Sequence, residues 1–401
     1  MKLTKKLISI VFFMMLMAFT TEQNASPGTM LSLGNSHLLK HATIESIEND
    51  SKEDSTKEVP SSEHATNHFV KQKPKKVDVR GIYLNRTSIK EENVQKYIDL
   101  IKSTNLNAAV IDVKDDYGKI TYDSNVDLVN QIGADSNPAT KDLEKLVQRF
   151  KDAGIYTIAR IVVFKDPYLA AKKQDYAIKR KDGTVWQDPS GTKWIDPYKE
   201  EVWNYMTSIA KEVSESGFDE IQYDYIRFPE RAKQVDQEVT YDNPTGLSKA
   251  ENILAFLKHS KQQLKQHPSY VSADVFGLVT TASDDMGIGQ VWENISPHVD
   301  YISPMTYPSH YAPGSYGVAN PDRAPYDIMA LAMKDAKSRN AKLKEQGKTI
   351  ATIRPWIQDF DYLSTYTAAD VQKQIKALED QGITQYLIWN AGNVYTVEAF
   401  K

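Results

Sequence analysis

Residues 217–230 read GFDEIQYDYIRFPE. Gly217 stops the helical pattern before it, and the run that follows has the length and the aromatic and β-branched content of a buried strand. Its alternate positions, Glu220, Gln222 and Asp224, are polar. Side chains two apart share one face of a strand, so this strand would turn two acids and an amide toward a core. Burying charge is costly unless it is paired. The face therefore needs a lumen with a chemical purpose or a set of internal partners.

The surrounding sequence supplies the lumen. Apolar runs at 79–85 (VRGIYLN), 107–116 (NAAVIDVKDD) and 155–166 (IYTIARIVVFKD) precede the quoted stretch. Runs at 270–277 (YVSADVFG), 299–308 (VDYISPMTYP), 352–360 (TIRPWIQDF) and 385–392 (QYLIWNAG) follow it. Helical spacing fills the intervals at 91–103, 141–153, 200–216, 249–265, 327–344 and 368–381. Strands that each need a helical crossover run parallel, and eight of them close as a (β/α)₈ TIM barrel. An open doubly wound sheet would carry a Gly-rich turn after its first strand, and Asn85-Arg86-Thr87 stands there instead.

The period-two rule extends to the neighbours. The expected floor of the barrel mouth carries Asp112 and Lys114 from the second strand and Arg160 from the third. It also carries Asp224 from the fourth, Asp274 from the fifth, Arg354 and Trp356 from the seventh with Asp359 just beyond, and Trp389 from the eighth. Tyr223 and Tyr225 are expected to face the helix ring. A self-satisfied ion network is the bland reading of this cluster; a site at the C-terminal end of the barrel is the sharper one.

The chain ends bear on setting. Lys2, Lys5 and Lys6 precede an apolar run from Leu7 to Phe19, which is short for a membrane span and suited to a secretory signal over residues 1–20. An uncleaved anchor is the alternative, and only then is a membrane a partner. Removing the segment takes three lysines and no acids, so the formal charge of −4 becomes −7. An acidic chain is a poor candidate for nucleic acid. Residues 21–77 are polar and poor in large apolar side chains, and read as a disordered tether to a domain at 78–401. A secreted or cell-surface monomer is expected.

The side-chain inventory narrows the chemistry. The chain has no Cys, so thiol nucleophiles, disulfides and lipoprotein acylation are excluded. No G-x-S-x-G elbow occurs. Of eight His, only His310 directly follows a predicted strand, so no metal and no other cofactor is expected. Carboxylates end several strands, and two of them facing a sugar bond suffice for glycoside hydrolysis. Trp186, Trp194, Tyr307, Trp356 and Trp389 offer flat faces for sugar rings, and acids and amides offer partners for hydroxyls.

Taken in order, VRGIYLN, VIDVKDDYGKITYDS, KDGTVWQDPSGTKWIDPY, FDEIQYDYIRFPE, ADVFG, SPMTYPSHY, RPWIQDF and YLIWNAG resemble a secreted bacterial family of TIM-barrel glycosyl hydrolase-like domains. The resemblance runs from Val79 to the end and implies a polysaccharide or oligosaccharide substrate. GFDEIQYDY and SPMTY are similar to chitinase-type strands, but the acid glutamate of that pattern falls on Ile226. The α-amylase clan places acids at the ends of strands four, five and seven, where Asp224, Asp274 and Asp359 stand. Asp224, which ends strand four and faces inward, is the expected nucleophile or base and Asp274 the expected general acid, in keeping with that likeness; Asp115 and Asp116, just after strand two, and Asp359 are the alternative acids. Lys114, Arg160, Arg227 and Arg354 join the aromatic residues as expected ligand-binding side chains, and Asp112 reads as a partner of Lys114. A glycan-binding barrel without turnover and a structural or adhesion scaffold remain open beside the hydrolase.

Overall fold

The computed structural model describes residues 72–401; the expected signal and most of the expected tether lie outside them. Eight parallel staves form the barrel. The first four are Arg80–Leu84, Ala108–Lys114, Tyr156–Val162 and Glu220–Asp224. The fifth and sixth are Tyr270–Phe276 and Tyr301–Met305. The seventh runs in two pieces, Thr352–Ile353 and Trp356–Gln358, and the eighth is Tyr386–Trp389. The eighth pairs the first through Arg80 and Tyr386, and the seventh pairs both the sixth and the eighth, so the sheet closes. The seventh breaks at Pro355, which has no N–H to give the ladder. Its carbonyl still accepts from the Leu387 amide at 2.9 Å.

Helices Glu91–Lys102, Leu143–Asp152, Glu200–Glu215, Lys249–Gln263, Pro325–Glu345 and Ala368–Asp380 cover the outside. Their starts follow from sequence. Asp142 accepts from the Lys145 amide, and Ser248 with Glu251 and Thr367 with Asp370 make capping boxes. The main apolar core lies between this ring and the outer faces of the strands; Tyr223, for example, packs on Phe256 and bonds Ser260.

The lumen is different. Its apolar content is a small cluster that includes Val110, Ile158, Trp356 and Leu387. Around an eight-stranded barrel the ladder shifts by about one residue per strand relative to the axis. Allowing for that shift, the observed register puts Asp112, Asp224, Met305 and Trp389 in one layer. Tyr83, Arg160, Asp274 and Trp356 lie just below it, and Val110, Gln222, Ser303 and Leu387 below those. The polar face of the fourth strand thus runs through successive layers of the lumen, with Asp224 uppermost.

Residues 72–77, which the sequence reading gives to the tether, lie against the opposite end of the barrel. The Lys73 ammonium sits 3.2 Å from Asp300 and 4.6 Å from the centre of the Tyr270 ring. The Tyr270 hydroxyl donates to the Pro74 carbonyl at 3.0 Å.

Candidate active site

Arg160 is the hub of the mouth. It rises from the third strand, fully buried, into a ring of acids. It donates to Asp112 at 2.7 Å, to Asp116 at 3.1 Å from two nitrogens, and to Asp224 at 3.0 and 2.6 Å. Tyr83 donates its hydroxyl to the other oxygen of Asp112, and Lys165 reaches Asp116 at 3.3 Å. Asp112, expected to pair with Lys114, therefore pairs with Arg160 and Tyr83.

Asp224 ends the fourth strand, and the chain turns sharply after it. Tyr225 adopts φ 53°, a left-handed conformation that costs a non-glycine residue energy. The turn brings the Tyr225 amide back onto Asp224 Oδ1 at 2.6 Å. Three N–H donors thus converge on Asp224, a fit for an anionic carboxylate. Tyr225 does not join the helix ring as expected: its hydroxyl accepts from Lys165 at 3.2 Å at the mouth.

Asp274 stands one layer lower on the fifth strand. Its Oδ1 accepts the Trp356 indole N–H at 2.8 Å. Burial, then the charge of Asp224, raise its carboxyl well above the usual range, against the weaker pull of the indole and of Arg160. Asp116 behaves oppositely. Burial would raise it, but Arg160 and Lys165 together bring it down to about 2. Asp112 is pushed up to about 7, chiefly by burial. The mouth so holds two acids that burial biases toward the protonated form, Asp274 and Asp112, beside Asp116, which its cations hold as a carboxylate, the separation of states that acid and base work requires.

Other expected ligand-binding or catalytic side chains are engaged within the protein. A bulge between Asp112 and Lys114 takes Lys114 off the inner face, where it pairs with Asp166 at 2.8 Å, both side chains fully buried. Arg354 lies below the carboxylates, buried against Glu220 and the Tyr301 ring. Trp186 and Trp194 are core residues: each is at most 2% exposed, and their indoles donate to Glu238 and Asp188. Trp356 is buried as well and serves as the donor to Asp274 rather than as a stacking face. Asp359 is spent on the amide and hydroxyl of Thr396. Asp115 accepts the amides of Tyr117 and Lys119 in a turn that Gly118 permits, at φ 75° with no room for a Cβ beside Asp166. Arg227 pairs with Glu230 and lies over the Trp194, Tyr225 and Phe276 rings.

The structure keeps Asp224, Asp274, Asp116, Arg160, Tyr307 and Trp389 at the mouth. Trp389 is half-buried and stacks on Tyr83 at 4.2 Å. Tyr83, Lys165 and Tyr225 join them without having been expected. Tyr83 was legible by the period-two rule applied to the first strand; the other two depend on the turns that follow strands three and four. Among the described residues no group of three His, Asp or Glu is placed to hold a metal ion, and the guanidinium of Arg160 fills the centre of the acid ring. Two surface depressions, near Arg80 and Phe400 and near Glu91 and Arg149, lie off this mouth, and none of their acids is buried.

No curated protein sequence matches the chain. Among solved structures, the chain is similar to a hypothetical protein from Ruminiclostridium thermocellum at 38% identity, over 52% of this chain and 98% of that one, with a TM-score of 0.43. It is also similar to the PgaB (BpsB) glycoside hydrolase domain from Bordetella bronchiseptica at 15% identity, over 80% and 97% of the two chains, with a TM-score of 0.53. An α-galactosidase from Thermus thermophilus aligns at 10% identity over 80% and 60%, with a TM-score of 0.48. The second of these likenesses speaks for the barrel fold alone. Residues 81–395 match the model of the family described as "Putative glycosyl hydrolase domain", and the chain belongs to that family.

Proposed function

We propose that this chain is a secreted glycosidase that hydrolyses glycosidic bonds of a polysaccharide or oligosaccharide, with Asp224 and Asp274 as its reacting carboxyls. One observation carries the reading. Two acids in adjacent layers of the lumen meet opposite surroundings, Asp224 under three N–H donors and Asp274 buried beside an indole.

Asp274, protonated, gives its proton to the glycosidic oxygen as the bond to the anomeric carbon breaks. Asp224 attacks that carbon from the other face and forms a glycosyl ester. Water then hydrolyses the ester, giving its proton to Asp274, so that both acids return to their starting states. The variant in which Asp224 instead takes a proton from an attacking water needs a wider separation of the two carboxyls. Retention of anomeric configuration is the outcome expected here, in line with the α-amylase-like placing of the acids.

A second reading, a glycan-binding barrel without turnover, gains support from burial: Asp224 is 4% exposed and Asp274 1%. One experiment separates the two. The full chain is incubated with chitin, cellulose, amylose and exopolysaccharide preparations, and new reducing ends are measured. Release that Asp224→Asn abolishes supports the glycosidase. Binding without release by the wild type supports the second reading. Release lost in Asp116→Asn but kept in Asp224→Asn transfers the nucleophile to Asp116, whose side chain is 30% exposed.

A further inference from the structure

The aromatic side chains at the mouth are not evenly spread. Tyr307, just after the sixth strand, belongs to the same lumen cluster as Trp356, the donor to Asp274. From Tyr307 a continuous series of rings leads outward. Tyr307 meets Phe360 at 5.6 Å and His310 at 5.3 Å, His310 meets Phe360 at 6.0 Å, and His310 meets Tyr362 at 5.7 Å with the planes 35° apart. Exposure climbs along the series, from 7% at Tyr307 to 46% at Tyr362, with Leu363 beyond at 70%.

The wall is held in shape. The Gln358 side chain accepts from the Ser309 amide at 3.1 Å and donates to the Phe360 carbonyl at 3.0 Å, tying the loops after strands six and seven together. Asp361 accepts from the Tyr366 amide at 2.7 Å. Among the described residues the exposed large apolar side chains are Tyr117, Leu278, Tyr362, Leu363 and Val394. Each lies on a segment that follows a barrel strand at the C-terminal end. Exposed apolar surface gathered at one end marks a surface that binds something, and rings with polar tips suit ligands that present both C–H faces and hydroxyls.

We propose that the wall Tyr307–Phe360–His310–Tyr362 binds the sugar rings on the leaving-group side of the scissile bond, so that the enzyme acts on a chain of several residues rather than on a single terminal sugar with a small aglycone. This rests on the glycosidase reading and adds the side of the bond to it. The wall starts beside Asp274, the group that protonates the departing oxygen, and the departing sugar leaves along it. Asp224 and its partner Arg160 lie on the other wall of the lumen, on strands three and four.

The test uses the full chain with Tyr362→Ala, Tyr362→Phe and the double variant Tyr362→Ala/His310→Ala. The substrates are a hexasaccharide of the sugar released, or bound without release, in the panel above and the 4-nitrophenyl glycoside of the same sugar. In the double variant the ratio of kcat/KM on the hexamer to that on the aryl glycoside should fall about tenfold, as loss of two stacking faces predicts. Tyr362→Phe should hold the ratio within about twofold, since it keeps the ring. A ratio unchanged in the double variant, at an unchanged Tm, overturns the wall as a sugar site. A wild type that binds the hexamer and leaves it intact overturns the glycosidase reading alone. The double variant must then lose hexamer binding about tenfold for the wall to stand.

Discussion

Arg160 grips Asp224 through two of its nitrogens, at 3.0 and 2.6 Å, and the same guanidinium serves Asp112 and Asp116. The contact lies between adjacent strands and fixes where the carboxylate of Asp224 points. It also makes one cation the counter-charge of three acids.

Removing that cation is therefore costly. Arg160→Met keeps most of the volume and leaves Asp224 buried without a counter-charge. Breaking a buried ion pair from one side costs about 3–5 kcal/mol. Chemical denaturation should show a loss of that order, and turnover should vanish with it. Asp224→Asn in the Arg160→Met background should recover part of the stability, because it removes the orphaned charge. A single variant Arg160→Met as stable as the parent would mean that the acids are protonated or hydrated in the folded protein.

Stability should also depend on pH in a direction that surface charge alone would not give. Asp112 is raised to about 7, Asp196 to about 6, and Asp274 well above the usual range, all chiefly by burial. Between pH 4 and 7 these three carboxyls hold protons that the unfolded chain has released, and their share of the stability is lost as pH rises through the folded values, outweighing the opposite effect of His310, which burial lowers to about 4. Asp116, brought down to about 2, works the other way: its contribution is present above the ordinary aspartate value and is lost as pH falls toward 2. Tm should pass through a maximum in the mildly acidic range and decline toward pH 8. Asp112→Asn should flatten the decline. A Tm that rises steadily from pH 5 to pH 8 contradicts this assignment.

The strands and their inward faces were legible because period two and the helix stops are local signals. Asp224, Asp274 and Arg160 follow from that rule alone, and so does Tyr83. What the rule misses is set by irregularities. The bulge after Asp112 turns Lys114 away, and Pro355 interrupts the seventh strand. The left-handed Tyr225 sends its hydroxyl to the mouth. Height along the lumen is also invisible to a two-residue period: Arg354 and Asp274 share an inward sense, but only the ladder register shows Arg354 to lie well below the reaction layers.

Trp186 and Trp194 illustrate the limit of reading aromatics from loops. Their segment folds on itself, with Ile178 exchanging backbone bonds with Trp186 and Trp194 while both indoles find carboxylates. Replacing either by Ala opens a large cavity, and a buried Trp→Ala change costs about 3–5 kcal/mol. Each variant should show that loss in denaturation. The hexamer-to-aryl kcat/KM ratio should be unaltered in whatever folded fraction remains. A fall in that ratio without loss of stability would return the two rings to the ligand.

Asp274 offers the sharpest test of mechanism, because its role depends on the leaving group. A sugar departs as a poor leaving group and needs a proton; a nitrophenolate departs without one. General acid catalysis contributes roughly 10²–10⁴-fold. Asp274→Asn should therefore lower kcat on oligosaccharide within that range and lower it far less on the 4-nitrophenyl glycoside. The alkaline limb of the pH–rate profile, which reports loss of the proton from this buried acid, should disappear in the variant. Trp356→Phe removes the indole N–H that favours the ionised form, so it should move the alkaline limb to higher pH while the acidic limb stays in place. If Asp274→Asn slows both substrates equally and the alkaline limb persists, the proton comes from another group. Asp112, which burial raises to about 7, would be the next acid to substitute.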